Sequence, residues 1–288
     1  MMKKKHKGTV LMRNIQIAAP GYILMDLMKQ DMPGTLRSLA QIGFDGMEFL
    51  GFFSHSAKEI KAWCRDVGIA PFSSFIKLSD LTGETSAMTV EDFSPFEAST
   101  VMPGKTPESK LEYLCELGCE YAGMLIPFER ITPALCEEIN KVNKLCRSFG
   151  LKLQYHNHDN EYLSRTESGY QMDQLLSLMD KSVLFEPDLG WMEIGGCRCE
   201  EQIRKYADRI EVVHIKDYER ESFDTSKPYV NRPTGYGVMD WKSILPLCET
   251  LIAPKWYTTD HDHATSGDVL GELKLSYDFA RQALNQLI

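Results

Sequence analysis

Short apolar runs rich in β-branched and aromatic residues recur along the chain, and each is followed by a longer stretch whose apolar positions repeat with helical period. The runs begin at Asn14 (NIQIAA), Phe44 (FDGMEFL), Ile69 (IAPFSSFI), Tyr121 (YAGMLIP), Leu151 (LKLQYHN), Ser182 (SVLFEPD), Ile210 (IEVVHIKD) and Trp256 (WYTTDHD). They predict eight strands. Amphipathic segments at Thr35–Ile42, Ser56–Val67, Pro107–Leu117, Pro133–Phe149, Gly169–Met179, Glu200–Tyr206, Trp241–Leu251 and Gly271–Leu287 predict the helices between and after them. Gly43, Gly68, Gly118 and Gly150 stand just ahead of strands, where a helix can close on a left-handed residue. Strand alternating with helix, with both sheet faces covered, implies a parallel sheet. Eight such units with no glycine-rich dinucleotide loop favour closure into one (β/α)8 TIM barrel over an open doubly wound sheet, and 288 residues suit that barrel.

The barrel is expected to span residues 14–288, preceded by a basic, solvated tail over residues 1–13 that carries Lys3, Lys4, Lys5 and Lys7. Two connections, Lys77 to Thr106 and Glu219 to Asp240, are too long to be simple turns. Both follow a strand, so both are expected at the face where barrels place their active sites, and they read as substrate covers.

Charge and composition narrow the function. A net charge of −9 and a pI near 5.4 argue against a nucleic-acid binder, which needs clustered Lys and Arg. The stretch Val10 to Pro20 is interrupted by Arg13, Asn14 and Gln16, unlike an export signal, and no run has the length of a membrane span. The eight cysteines, with Cys115, Cys119, Cys136 and Cys146 inside helical segments, read as reduced thiols of a cytoplasmic protein. Cys197 and Cys199 are one residue closer than the common zinc or redox spacing.

The candidate chemistry lies at the strand ends. His156 and His158 end the fifth strand, Asp188 the sixth, His214 and Asp217 lie on the seventh, and Asp260, His261, Asp262 and His263 end or follow the eighth. A barrel converges these ends on one mouth, so His156, Asp188, His214 and Asp260 could surround one point. Such a mixed imidazole and carboxylate set suits one divalent metal ion, with Mn²⁺ expected first and Zn²⁺, Co²⁺, Fe²⁺ or Mg²⁺ as alternatives, and is poor for Ca²⁺. Taken singly, His214 reads as a core histidine and Asp188 as a helix N-cap.

The segments LKLQYHNHDNEY, VLFEPDLGW, VVHIKD, TGYGVMDW and YTTDHD resemble the strand ends of the xylose isomerase-like TIM-barrel superfamily of sugar phosphate isomerases and epimerases, over nearly the whole chain. The resemblance implies a metal held by one side chain from each of strands five to eight, here His156, Asp188, His214 and Asp260. His156 and Asp260 stand where that family more often has Glu, and a further family histidine is replaced by Trp191. It implies an enzyme that removes a proton next to the carbonyl of a keto-sugar, an isomerase or epimerase. The missing pair of glutamates opens an alternative: a lyase or dehydratase of the same superfamily, such as a 3-keto-glycoside (C-glycoside) deglycosidase subunit.

His158 or Glu161 is the expected base; Lys216 lies on the same side of its strand as His214, and the resemblance implies that it binds a substrate hydroxyl or the enolate oxygen. Glu48, Trp191, Asp217, His261 and Asp262 are the expected substrate contacts, and Phe52, Phe75 and Tyr236 could add apolar walls. The expected partner is a small carbohydrate, without nucleic acid or membrane. A homo-oligomer is the expected assembly, and a hetero-complex with a small partner subunit the alternative. A non-catalytic barrel subunit is the rival to any enzyme.

Overall fold

The computed structural model describes residues 13–82, 102–124, 132–167 and 169–287. Nearly all of the basic tail and most of the connection from Lys77 to Thr106 lie outside the described residues. The eight strands are β1 (Gln16–Pro20), β2 (Gly46–Phe49), β3 (Ala70–Ile76), β4 (Tyr121–Met124), β5 (Lys152–His156), β6 (Leu184–Glu186), β7 (Val212–His214) and β8 (Trp256–Thr258). They form one parallel sheet in the order β6-β5-β4-β3-β2-β1-β8-β7. Between its two edges a single bridge, Asp188 to His214, and the bond from His214 N to Pro187 O at 2.9 Å bring the sheet nearly to closure.

The barrel helices are α1 (Met25–Ile42), α2 (Ala57–Val67), α3 (Pro107–Leu117), α4 (Pro133–Ser148), α5 (Gln171–Leu178), α6 (Cys199–Tyr206), α7 (Trp241–Leu251) and α8 (Val269–Asn285). Their starts follow from capping. Ser56 accepts from Glu59 N while Glu59 reaches back to Ser56 N, and Thr106 and Thr132 cap helices that open with proline. Gly43 closes α1 at φ 118° by donating to Leu39 O, and a Cβ there would meet Tyr277 Oη at 2.6 Å. One prediction fell short: α1 begins ten residues before Thr35. Asp31 is non-helical (φ −154°, ψ 83°) and caps the second segment through Gly34 N, so Pro33 falls in its first turn, where no N–H is missed.

Alternation sorts the strand residues between two cores. Leu153, Tyr155, Phe185, Val213 and Tyr257 face the helices, while Ala18, Phe72, Tyr121, Val212 and Trp256 plug the lower barrel interior. Trp256 takes the space left by Gly46, whose Cβ would lie 2.6 Å from the indole. Above that plug the inward positions turn polar: Glu48, Ser73, Gln154, Glu186 and His214, all buried. Below it Lys152 and Lys255 each pair with Glu120 and Glu211. Among the described residues, no helix is long and apolar enough to cross a membrane, and all eight cysteines are free.

Candidate active site and metal centre

The register of β5 to β8 places His156, Asp188, His214 and Asp260 around one point. One ligand atom from each lies within 4.8 Å of the others, and all four residues are buried. The strands determine this aim. His156 and His214 occupy inward positions, and Asp188 follows Pro187 just beyond β6 and caps a short helix, Leu189–Ile194, by accepting from Trp191 N at 2.8 Å with Oδ1. That bond leaves Asp188 Oδ2 to the cluster.

Asp188 Oδ2, His156 Nδ1 and His214 Nδ1 are buried with no hydrogen-bond partner. Orphaned buried polar atoms are costly, and three converging in one place fit a bound cation. Two imidazoles and two carboxylates form the nitrogen and oxygen donor set of a divalent transition metal.

Beneath the cluster, His214 Nε2 lies 2.8 Å from Glu48 Oε2 and 3.4 Å from Glu186 Oε1. Ser73 Oγ donates to Glu48 Oε1 at 2.6 Å, and Gln154 Nε2 donates to Glu186 Oε1. His214 thus stands between carboxylates below and ligand atoms above, with Nδ1 4.0 Å from Asp260 Oδ2. Carboxylate contact on the far ring nitrogen is a common support of a metal-binding histidine. Burial alone would discharge His214, but Glu48 and Glu186 outweigh it and raise its pKa well above the ordinary value. Burial, aided by His214 and His158, holds His156 well below its ordinary range, in the neutral form that ligates. Burial also pushes Glu186 up to about 8, with Glu48 adding to it.

Lys216 is fully buried beside the cluster. Its Nζ lies 2.7 Å from Asp260 Oδ2, 2.9 Å from Asp262 Oδ1 and 4.0 Å from Asp188 Oδ2, and 5.2 Å from the centre of the Trp191 ring. Burial opposes its charge, but Asp260, Asp262 and Asp188 raise its pKa above the ordinary lysine value. The His158 ring stands 5.1 Å from His156 and 5.2 Å from Trp191, with Tyr229 5.7 Å beyond Trp191. Burial brings His158 down to about 4. Trp191 Nε1 is buried without a partner, so the wall of the site carries a spare donor. Phe75 packs edge-on against His156 at 5.4 Å.

Three expected substrate contacts and one expected base are engaged by the protein itself. Glu48, expected to touch substrate, is completely buried under His214. Asp217 accepts from Tyr218 N, Gly235 N, Met239 N and Trp241 Nε1 at 2.8–3.2 Å, so it clamps the loop after β7. His261 turns its Nε2 outward to Glu272 Oε2 on α8 at 2.6 Å. Glu161, a candidate base, accepts from Tyr155 Oη and from His158 N at 3.1 Å and lies wholly buried, holding the turn that carries His158. Glu186 went unread in the sequence, although it stands two residues before Asp188 in FEPD and so shares its side of the strand. Tyr236 is exposed, and Phe52 packs in the outer core against Phe49 and Tyr113.

Comparison with known proteins agrees with this architecture. A family model described as xylose isomerase-like TIM barrel matches residues 36–258. Over 220 residues the chain is 26% identical to inosose dehydratase of Geobacillus kaustophilus (strain HTA426), a match covering 66% of this chain and 66% of that enzyme, just under two thirds of its length. Among solved structures, a sugar phosphate isomerase/epimerase from Parabacteroides distasonis superimposes with a TM-score of 0.72 at 20% identity, covering 97% of both chains. A xylose isomerase-like TIM barrel protein from Mycobacterium smegmatis, in complex with magnesium, gives 0.66 at 18% identity over 96% of this chain and 98% of its own. At these identities the structural likeness speaks for the fold, and the family match carries the assignment: this chain belongs to the xylose isomerase-like TIM barrel family.

Proposed function

We propose that this protein is a divalent-metal-dependent enzyme that removes the proton next to the carbonyl of a cyclic keto-sugar or keto-cyclitol and then eliminates water, a dehydratase. The observation that carries the metal is the convergence of His156, Asp188, His214 and Asp260 within 4.8 Å, three of them with an orphaned ligand atom. The divalent ion, Mn²⁺ in this reading, supplies Lewis-acid stabilisation of the charge that develops on the carbonyl oxygen.

The chain's own groups divide the remaining work. His158, kept neutral by burial, takes the α-proton, and the electron pair moves toward the carbonyl oxygen. Lys216, kept charged by Asp260 and Asp262, gives a proton to the hydroxyl on the β-carbon, which departs as water while the pair returns to form the new double bond. Trp191 offers a ring face and an N–H to the substrate, and Asp262 an acceptor for a hydroxyl. The inosose dehydratase relatives support elimination, and so does the departure from the family resemblance, in which His156 and Asp260 stand where Glu is more often found and so break the symmetrical pair of bases.

Isomerisation or epimerisation shares the first step and differs in returning the proton to carbon. Cleavage of a 3-keto-glycoside differs only in the leaving group.

The deciding experiment measures metal content in the purified protein and in His214→Ala and Asp188→Ala variants that remain folded. Inososes, keto-sugars and 3-keto-glycosides are then assayed in D2O for deuterium uptake and for formation of an unsaturated ketone. One divalent metal per chain, lost in both variants, with water loss from an inosose-type ketone, is expected. Deuterium uptake without elimination would replace the dehydratase with an epimerase. No metal after incubation with Mn²⁺ or Co²⁺ would leave a non-catalytic barrel.

A further inference from the structure

Asn157 separates the two imidazoles of the HNH run and has no part in the chemistry above, yet it is completely buried. Its side-chain oxygen accepts from Asp188 N at 3.0 Å, and its side-chain nitrogen donates to Asp188 O at 3.2 Å. The amide therefore supplies to Asp188 the donor and the acceptor that a neighbouring strand would normally supply.

The reason lies in β6. The β5–β6 ladder ends with His156 opposite Glu186, and the next residue, Pro187, has no N–H with which to continue it. Pro187 O and Asp188 are engaged by β7 on one side, through His214 N and the Asp188–His214 bridge. On the other side Asn157 bonds both backbone groups of Asp188, whose carbonyl also accepts from Met192 N at 3.1 Å as the short helix begins. The Asp188 side chain has little freedom of its own, because Oδ1 is fixed by Trp191 N, so the aim of Oδ2 follows the backbone. A shift there moves one ligand atom relative to His156 and His214.

We infer that Asn157 is a positioning residue of the metal centre: its amide replaces the missing ladder rung at Pro187 and sets the Asp188 backbone so that Oδ2 meets the ligand atoms of β5, β7 and β8. The inference rests on the proposed metal site. Alanine at 157 leaves both Asp188 backbone groups without that partner, and aspartate keeps an acceptor but sets a second carboxylate oxygen against Asp188 O. Serine is small enough to be accommodated and cannot span both groups.

The test uses the full chain stripped of metal. Co²⁺ and Mn²⁺ affinities are measured by chelator competition, with the visible spectrum of the Co²⁺ form and the melting temperature, for wild type, Asn157→Ala, Asn157→Asp, Asn157→Ser and Leu36→Ala. Leu36 is buried on α1, away from the site, and serves as a control for lost stability. The Asn157 variants are expected to bind roughly tenfold or more weakly, the scale typical of residues that support metal ligands, with a changed Co²⁺ spectrum, while Leu36→Ala binds as wild type does. Wild-type affinity and spectrum in the folded Asn157 variants would overturn the inference and leave the metal site standing. So would an equal loss in Leu36→Ala. A wild-type chain that binds neither ion would overturn the metal reading itself, and this inference with it.

Discussion

Lys216 holds the site's charge in balance. Its ammonium lies within 4.0 Å of Asp188, Asp260 and Asp262, and no solvent reaches it. In the metal-free chain it neutralises Asp260, which is also a proposed ligand, so ammonium and metal draw on the same carboxylate. Lys216→Met is therefore expected to tighten Mn²⁺ binding while lowering the melting temperature of the metal-free protein, since stranding buried carboxylates costs about 3–5 kcal/mol. Turnover of any substrate found should fall by about 10²–10⁴-fold, the usual contribution of general acid catalysis. Chelator competition and thermal melts read the first two effects, and weaker Mn²⁺ binding in Lys216→Met would contradict this account. The residue types were legible before the fold: His156, Asp188, His214, Asp260 and Lys216 stand at strand ends in the sequence. Their partners were not, because Glu48 and Ser73 come from distant strands.

At the scale of elements, the segment after β7 is a built structure. Asp217–Glu219 pairs antiparallel with Val230–Arg232, and Tyr229 from this hairpin completes the wall with Trp191. Asp217 ties the hairpin to α7 through Trp241 Nε1 and to the turn through Gly235 N and Met239 N. Removal of a buried acceptor with several donors costs at least about 2 kcal/mol. Asp217→Ala should therefore lower the melting temperature and speed proteolytic cleavage within residues 219–240, with Asp217→Asn in between. Limited proteolysis followed by mass spectrometry measures it, and wild-type cleavage rates in Asp217→Ala would remove the clamp. The length of this segment signalled a functional connection in the sequence, but its hairpin did not, because its strands are three residues each and lack a long alternating pattern.

Across the whole molecule the barrel is layered along its axis: ion pairs at the bottom, an aromatic plug, a carboxylate and imidazole layer, and the proposed metal centre at the mouth. The bottom network gives stability a pH dependence. Burial pushes Glu211 up, but hydrogen bonds from Lys152, Lys255 and Tyr121 outweigh it and bring it down to about 2, from an ordinary value of 4.5. A carboxylate whose folded pKa is depressed stabilises fully above its unfolded pKa, and that contribution is lost as pH falls from about 4.5 through about 2. Glu211→Gln should cost on the order of 2 kcal/mol at pH 7, allowing for partial exposure, and the gap to wild type should close steadily below pH 4.5. Urea unfolding at pH 7, 5 and 3 tests this, and a gap independent of pH would show that the charge plays no part.

Local sequence pattern carries the eight strand and helix units, the barrel they form, and the face on which the histidines and acids gather. These depend on periods of two and of about 3.6 residues, which each segment carries locally. Closure of the barrel supplies the rest: the 4.8 Å convergence of four candidate ligands, Glu48 and Glu186 beneath His214, and the hydrogen bonds that engage Asp217, His261 and Glu161 with the protein itself. It also gave Asn157 its hold on Asp188. Each of these is a pairing across strands or onto a helix, set by the register with which the sheet closes and by which polar atoms that closure cuts off from water. Local periodicity shows which way a side chain points, and only the closed barrel shows what it meets there.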